Sequence, residues 1–467
     1  MGRIAKFAGV VALTTLSASI SQVGQAADDL YSILALALDN DPTLRQAEAN
    51  YRANHENRIQ SRANLLPSFG IGGQTARLTS GPSSPIYTEI TNPITGLKQS
   101  IKAVDEHSYR PGINNHGWGV NLTQSLVNIA NWYSFQSAKA SDQAAEMNLA
   151  AQEQDLIMRV SIAYFDVLRA IDLLDTNVQE EEAARRSLDQ TQQREEVGLV
   201  PITDVLDAQA AYDLARNTTI LQRDFLQSRY EALEAITGQS HPSLAVLDDE
   251  FPIVNAEGTL DEWEDQADSN SLAIAAAEYN LVAQKKTLKA RKSDRLPTVD
   301  FTGSFGHNVT APIVNQGIVI GGGAFDRTSL GVSVSIPLYT GGAISSRRRA
   351  AEYNVIAAKE SLEFTKRQLT QNIRNSYRRV NTDVMVIAQR QQSILSAQSA
   401  LDATELGEQV GTRNIVEVLR ARENLYRALR QYADARYNYI IDSLVLKQTA
   451  GILTPQDVIE LNQWLAE

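Results

Sequence analysis

The chain contains no cysteine, so its 467 residues can form no disulfide, thiolate metal site or thiol nucleophile. The HExxH, GxSxG and Walker A patterns are absent, and the five histidines lack metal-ligand spacing, so no motif points to catalysis, a cofactor or a metal. Acidic residues outnumber basic ones by 55 to 43, which argues against a nucleic-acid partner. These absences leave binding, structural and transport functions.

Residues 1–26 predict a secretory signal peptide. Basic Arg3 and Lys6 come first, the apolar or small run Phe7–Leu16 follows, and the small residues of Gly24–Ala26 offer a cleavage site. The alternative is a buried N-terminal helix. Without cysteine, no lipid anchor can form on the new N-terminus. Beyond this segment, no stretch reaches the roughly 18–20 apolar residues of a membrane helix. The exported chain is therefore either soluble or enters a membrane as β-strands.

Glycine and proline are missing from two very long stretches, residues 125–197 and 343–406. Helices of this length would each extend about 100 Å at 1.5 Å per residue. A narrow apolar stripe runs along the first stretch at helical spacing: Leu149, Leu156, Val160, Ala163, Val167, Ile171, Leu174 and Val178. A narrow stripe on a long helix predicts a coiled-coil-like array. Shorter runs that predict helices are 43–66, 202–237, 259–296 and 412–450.

Alternating apolar and small polar residues predict four β-strands between these helices. The four segments are 69–72, 118–123, 299–305 and 330–338. Long polar loops, roughly 74–116 and 306–327, join the strands in pairs. Two surface hairpins on a soluble domain are one interpretation. Export, long loops and small polar alternates favour a membrane barrel.

The segments Val197–Gln209 and Val410–Arg422 share six identical positions at an offset of 213 residues. The sequence therefore predicts a tandem duplication, with a first repeat over residues 27–252 and a second over 253–467 that ends in an additional helix. Each repeat has the order helix, β-hairpin, very long helix, bend, helix. Four strands cannot close a barrel, and open edges are not tolerated in hydrocarbon, so several chains must pool their strands. Three chains would supply twelve.

The segments LLPSFGIG, SIAYFDVLRAIDLL, VGLVPITDVLDAQAAYD, SIPLYTGG and VGTRNIVEVL occur in the order found in a known family. Over essentially its whole mature length, the chain resembles the TolC-like outer-membrane efflux and type I secretion channels. The resemblance implies a mixed, mainly α fold: a homotrimer with a 12-stranded transmembrane β-barrel, a long α-helical barrel, a mixed equatorial region and a coiled-coil periplasmic tip. The implied location is the bacterial outer membrane, extending into the periplasm.

The same resemblance implies a passive exit duct that conducts small molecules or proteins and catalyses nothing. Its implied partners are outer-membrane lipid, a periplasmic adaptor (membrane fusion) protein and an inner-membrane transporter of the RND, ABC or MFS type. A coiled-coil envelope protein without a pore and a periplasmic enzyme remain as alternatives. The cargo stays open, because drug, protein and metal export use similar ducts.

Site residues also follow from the resemblance. The implied periplasmic gate comprises Thr203, Asp204, Asp207, Glu408, Arg413, Glu417 and Arg420. The implied adaptor-docking residues are Gly198, Leu199, Val200, Gly411, Thr412 and Arg413. At position 408 glutamate stands where the family has tyrosine, and at position 420 arginine stands where it has aspartate. Glu417 keeps the acidic charge of the family's aspartate.

The residues support an independent interpretation of the gate. Asp204 and Asp207 share one helix face, and Glu417 and Arg420 occupy the matching places in the second repeat. A solvated charged face is the simpler explanation. In a ring, however, an all-acidic layer would favour cations, and an alternating layer would brace the closed tip. The cluster Arg347–Arg349 likewise indicates either a solvated helix start or an anchor near lipid headgroups.

Overall fold

The computed structural model describes residues 27–78, 86–104, 113–248, 250–315 and 318–466. The predicted signal peptide lies outside the described residues, as do parts of both predicted loops. The fold is mainly α, as predicted. The helices are α1 Leu30–Asn40, α2 Pro42–Ala63, α3 Ile129–Glu196, α4 Ile202–Thr237, α5 Leu260–Asn270, α6 Leu272–Ser293, α7 Ala343–Gln409, α8 Ile415–Thr449 and α9 Pro455–Asn462. The strands are β1 Ser68–Leu78, β2 Ile86–Thr91, β3 Lys98–Val104, β4 Ile113–Val127, β5 Val246–Leu247, β6 Thr298–Thr310, β7 Ile313–Asn315, β8 Ile318–Ile320, β9 Gly323–Ser335 and β10 Leu465–Ala466.

The two long stretches without glycine or proline form α3 and α7, of 68 and 67 residues. Each is about 100 Å long, as predicted. The predicted helix start at Asp41 is also present, because its carboxylate accepts the backbone N–H of Leu44 at 2.7 Å. One prediction was wrong: residues 259–296 form two helices. Ser271 is extended there and caps α6 by accepting the Ile274 N–H at 3.3 Å.

The four predicted strands form one antiparallel sheet in the order β1-β4-β6-β9. They are longer than predicted, since β1 extends to Leu78 and β6 to Thr310. The predicted polar loops are also more ordered than expected, because the hairpin β2–β3 lies in the first and the pair β7–β8 in the second. These short strands lie within stretches that their glycine, proline and polar residues mark as loops. The edges of the four-stranded sheet are β1 and β9.

The main hydrophobic core lies midway along the long helices, away from the sheet. Tyr164, Phe165, Ile373 and Ile440 are fully buried there, and α1, α5 and α9 contribute to the same cluster. The Tyr164 hydroxyl donates to the backbone oxygen of Ala245 at 2.7 Å, which satisfies its polar atom inside the core. Burying each large side chain stabilises the fold by about 1.5–3 kcal/mol.

Helix neighbours change along the molecule. Towards the sheet, the contacts give the order α2-α3-α6-α7, and at the other end the order α4-α3-α8-α7. One lateral edge of the chain therefore carries β1, α2 and α4, and the other carries β9 and α7. In the part of the chain that the structure describes, no helix has the length and apolarity needed to cross a bilayer.

Candidate functional site

The four-stranded sheet is apolar on one face and polar on the other. Register places Ile71 opposite Val120, Val120 opposite Phe305, and Phe301 opposite Val332. The apolar face consists of Phe69, Ile71, Val120, Leu122, Phe301, Phe305, Leu330, Val332 and Val334. Ile71 is 79% exposed and Leu330 72%. A contiguous exposed apolar face of this size marks an interaction surface rather than a soluble hairpin.

The opposite face carries small and polar residues. Its members include Gly70, Gly72, Gly119, Asn121, Thr302, Ser304, Ser329 and Gly331. Apolar-out and polar-in alternation is the pattern of a transmembrane barrel with a wet interior. The long helices continue directly from the strands of this sheet and end at two bends at the opposite end of the molecule.

The two bends that join α3 to α4 and α7 to α8 have the same backbone geometry. Gly198 donates to the Glu195 oxygen at 2.7 Å, and Leu199 donates to the Arg194 oxygen at 2.8 Å. In the second bend, Gly411 donates to the Glu408 oxygen at 3.0 Å, and the next amide donates to the oxygen of residue 407 at 2.8 Å. Both are Schellman motifs. Gly198 and Gly411 have φ of 73° and 79°, the left-handed region that glycine tolerates.

The predicted docking residues lie at the surface of these bends. Leu199 is 70% exposed, and Val410, next to Gly411, is 66% exposed. Thr412 and Arg413 are also exposed, whereas Val200 is half-buried. The bends therefore present apolar side chains to solvent beside charged ones.

The predicted gate residues are only partly brought together within one chain. Arg413 donates to the Glu417 carboxylate at 2.8 Å. Thr203 is exposed and its hydroxyl lies 3.5 Å from Asp204. Asp207 and Arg420 are exposed. Among the described residues of a single chain, no hydrogen bond or ion pair joins the acidic pair on α4 to Glu417 or Arg420 on α8.

Glu408 forms an ion pair with Arg194 that the sequence did not predict. Arg194 lies in the last turn of α3 and Glu408 in that of α7, so the contact joins the two helical hairpins next to both bends. Gly407 was also missed. A Cβ at this position would lie 2.6 Å from Cγ of Arg413, so glycine allows the arginine stem to pack over the helix. A glycine near the end of an otherwise helical pattern was the available signal.

A polar seam continues this connection between the hairpins. Arg422 of α8 donates to the Ala183 oxygen of α3 at 3.0 Å, and Tyr426 donates to the Gln179 oxygen at 3.2 Å. One turn further along α8, Arg430 forms an ion pair with Glu180. Near the bends, the contact between hairpins is therefore made by hydrogen bonds and ion pairs, whereas further along the helices the hairpins share the hydrophobic core.

Two carboxyl groups, Asp383 of α7 and Asp442 of α8, lie together beyond the seam. Burial raises the pKa of Asp383 to about 6, and the negative charge of Asp442 and a hydrogen bond with it add to the effect. Arg379 donates to Asp442 at 3.1 Å and partly offsets the rise. Within the described ranges, no cluster of three or more histidine, aspartate or glutamate residues could hold a metal.

Comparison with known proteins distinguishes a channel from an enzyme or a structural envelope protein. The model of the outer membrane efflux protein family matches residues 33–239 and 263–452. The chain belongs to the outer membrane efflux protein family. This outer-membrane efflux protein is a channel and not an enzyme, as its resemblance to the TolC-like channels predicts.

Individual relatives align with nearly the whole length of the efflux protein. The outer membrane protein TolC of Vibrio cholerae is 34% identical over 457 residues, which covers 97% of this chain and 96% of the relative. TolC of Escherichia coli is 32% identical over 450 residues, covering 94% and 86%. A crystal structure of a membrane protein from Pseudomonas aeruginosa has a TM-score of 0.74 at 19% identity and covers 94% of this chain and 96% of that one, which shows the fold.

Proposed function

We propose that this outer-membrane channel is the exit duct of a tripartite efflux or type I secretion system. In this assembly, an inner-membrane transporter of the RND, ABC or MFS type and a periplasmic adaptor deliver small molecules or proteins to the exposed bends, and the duct conducts them passively. The main supporting observation is the amphipathic sheet with two open edges, continued by helices about 100 Å long.

The duct is a homotrimer. The β1 edge of one copy pairs with the β9 edge of the next, which closes a 12-stranded barrel without an unpaired strand in hydrocarbon. The helices support the same arrangement, because α2 and α4 lie on one lateral edge and α7 on the other, where a neighbouring copy can pack. Large apolar side chains are exposed on α4 and α7, among them Leu206, Leu214, Leu221, Phe364 and Leu395.

Each copy contributes two structural repeats to the ring. The support is pairwise agreement in helix length: α1 and α5 have 11 residues each, α2 and α6 have 22 each, α3 and α7 have 68 and 67, and α4 and α8 have 36 and 35. Equal lengths allow both halves to occupy equivalent places around one axis. The second repeat carries α9 in addition.

Bilayer conductance and crosslinking test the duct together. Because the chain has no native cysteine, one cysteine on β1 (Gly72→Cys) and one on β9 (Ser329→Cys) can be introduced without competing thiols. We expect oxidation to give dimers and trimers but no larger product, and the purified protein to conduct ions in a planar bilayer. A monomeric, compact protein that needs no detergent would contradict the proposal, and trimers without conductance would favour a structural envelope protein.

The gate lies at the ring of bends. Six copies of the bend place Asp204 and Glu417 in an acidic layer that favours cations, and Asp207 and Arg420 in a layer of alternating charge that braces the closed tip. Arg420 is exposed and forms no ion pair with a described residue of its own chain. This supports the assignment, because an acidic partner would come from a neighbouring copy. Single-channel recording of Arg420→Ala tests it. Unchanged conductance and ion preference would refute the bracing.

A further inference from the structure

Four helices meet the sheet, and their contacts define which side of each helix faces outward. On α3, the hydroxyl of Ser137 donates to the Ala283 oxygen of α6 at 2.8 Å, and Asp142 binds Arg58 of α2 at 3.0 Å. These positions mark the two lateral sides. At about 100° per residue, Trp132 and Lys139 lie on one of the two remaining sides, and Ser134 lies on the other.

The side that carries Trp132 faces outward. On the opposite side, a groove between α2 and α3 is lined by amides, among them Asn50, Asn54 and Asn148, as expected for a water-filled interior. On α2, Ile59 lies about 180° from these amides and is 38% exposed, so it shares the outer side with Trp132. The outer side of these helices thus exposes apolar side chains, as the apolar face of the sheet does.

The arginines at the start of α7 face different sides of the helix. Arg348 faces α6, because it and Lys292 of α6 both bind Glu352, at 3.6 and 4.0 Å. The helices α3 and α7 run in the same direction and lie on either side of α6. On α7, the outer side is therefore rotated by about 100°, or one residue, from the side that faces α6, where Arg348 lies. Arg349 therefore faces outward together with Tyr353, whereas Arg347 faces the interior.

On α6, which runs in the opposite direction, Lys286 and Lys289 lie on the outer side and Arg291 on the inner side. Lys289 confirms this placement, because its ammonium lies 5.7 Å from the ring centre of Tyr133 on α3. Arg291 instead lies 3.8 Å from Asp294. Each chain thus has an outer belt of cations next to the sheet, composed of Lys139, Lys286, Lys289 and Arg349.

The charges of the outer belt are not neutralised by the protein. None of its four cations forms an ion pair with a residue that the structure describes, whereas Arg58 and Arg348, which face neighbouring helices, are both paired. Trp132 and Tyr353 are exposed by 51% and 69% beside it. Exposed aromatic rings among unpaired cations are typical of a membrane–water interface.

We propose that the outer belt binds the phosphate groups of anionic phospholipids in the membrane leaflet that faces the periplasm. This inference rests on the proposed embedding of the sheet in the outer membrane. The aromatic rings lie at headgroup level, and the four cations select phosphatidylglycerol over zwitterionic lipid. Each cation near an anionic surface increases binding about fivefold, and the increase is lost in high salt.

Two matched variants of the full chain test the outer belt. K289Q/R349Q removes one outer cation from each of α6 and α7, and R291Q/R347Q removes one inner cation from each of the same helices. The detergent-solubilised proteins are mixed with phosphatidylglycerol or phosphatidylcholine, and the retained lipids are counted by native mass spectrometry. We expect K289Q/R349Q to lose preference for phosphatidylglycerol about fivefold per cation, and R291Q/R347Q to retain it.

Equal preference in the parent and K289Q/R349Q, or equal loss in both variants, would overturn the proposed lipid site. Insertion into vesicles of phosphatidylcholine alone separates this outcome from failure of the duct. A parent protein that inserts and conducts there without retaining phosphatidylglycerol refutes only the lipid site. A parent protein that inserts into neither kind of vesicle refutes the embedding on which it rests.

Discussion

Removing the ion pair between Arg194 and Glu408 should open the tip. The side chains are 41% and 18% exposed. The free energy lost on breaking this ion pair should therefore lie between about 0.2–1 kcal/mol for a surface pair and several kcal/mol for a buried pair. About 1 kcal/mol per chain is a reasonable coupling free energy. In a concerted ring of three copies it would total about 3 kcal/mol, which shifts an equilibrium between closed and open states about 150-fold.

Single-channel recording in planar bilayers measures this shift. We expect Glu408→Ala and Arg194→Ala each to raise the open fraction strongly, and the charge swap R194E/E408R to restore most of the parent behaviour. Glu196→Ala is the matched control, because it removes an acid near the same bend that has no ion pair with a described residue. Additive effects of the two alanine substitutions, with no rescue by the swap, would refute the reasoning.

Three further predictions concern stability. Gly198→Ala should lower the melting temperature by straining a left-handed position at about 1–2 kcal/mol, whereas Gly70→Ala, with open space around it, should not. Ile440→Ala should cost about 2–5 kcal/mol in denaturant unfolding because the side chain is fully buried, and the exposed Ile94→Ala should cost little. Because the pKa of Asp383 is raised to about 6 in the folded state, its protonated form is stabilising at low pH, and that stabilisation is lost as pH rises from about 4 through 6. Asp383→Asn should flatten this dependence in thermal melts, and an identical slope in parent and variant would contradict the assignment.

Local sequence signals predicted the regular elements well. A long absence of helix breakers was sufficient for α3 and α7, and strict alternation was sufficient for the strands of the large sheet. The break at Ser271 was missed, because a serine cap interrupts a helix without glycine or proline. The strands inside the polar loops were missed for a related reason. A hairpin such as β2–β3 is defined by pairing between two short strands, which the overall composition of the surrounding loop does not reveal.

The site was less predictable, because its contacts are distant in sequence. Resemblance indicated the position of Glu408 but not its partner, since Arg194 lies 214 residues away on another helix. The departures from the family pattern can now be interpreted. Glutamate at position 408 is compensated by a cation on the adjacent hairpin, whereas Arg420 has no such compensation from a described residue within the chain.

The contacts within a helical hairpin differ from those at its border with the neighbouring hairpin, and this difference indicates how the tip can move. Within the α7–α8 hairpin, Leu401, Val418 and Leu425 form a buried apolar cluster, so these helices are held together by an interaction that does not depend on salt. At the border with α3, Arg422 and Arg430 bond to polar atoms that water can replace. Separation along this border therefore costs less than separation within a hairpin. Each hairpin should move as a unit, with the border weakened by salt and by loss of either arginine.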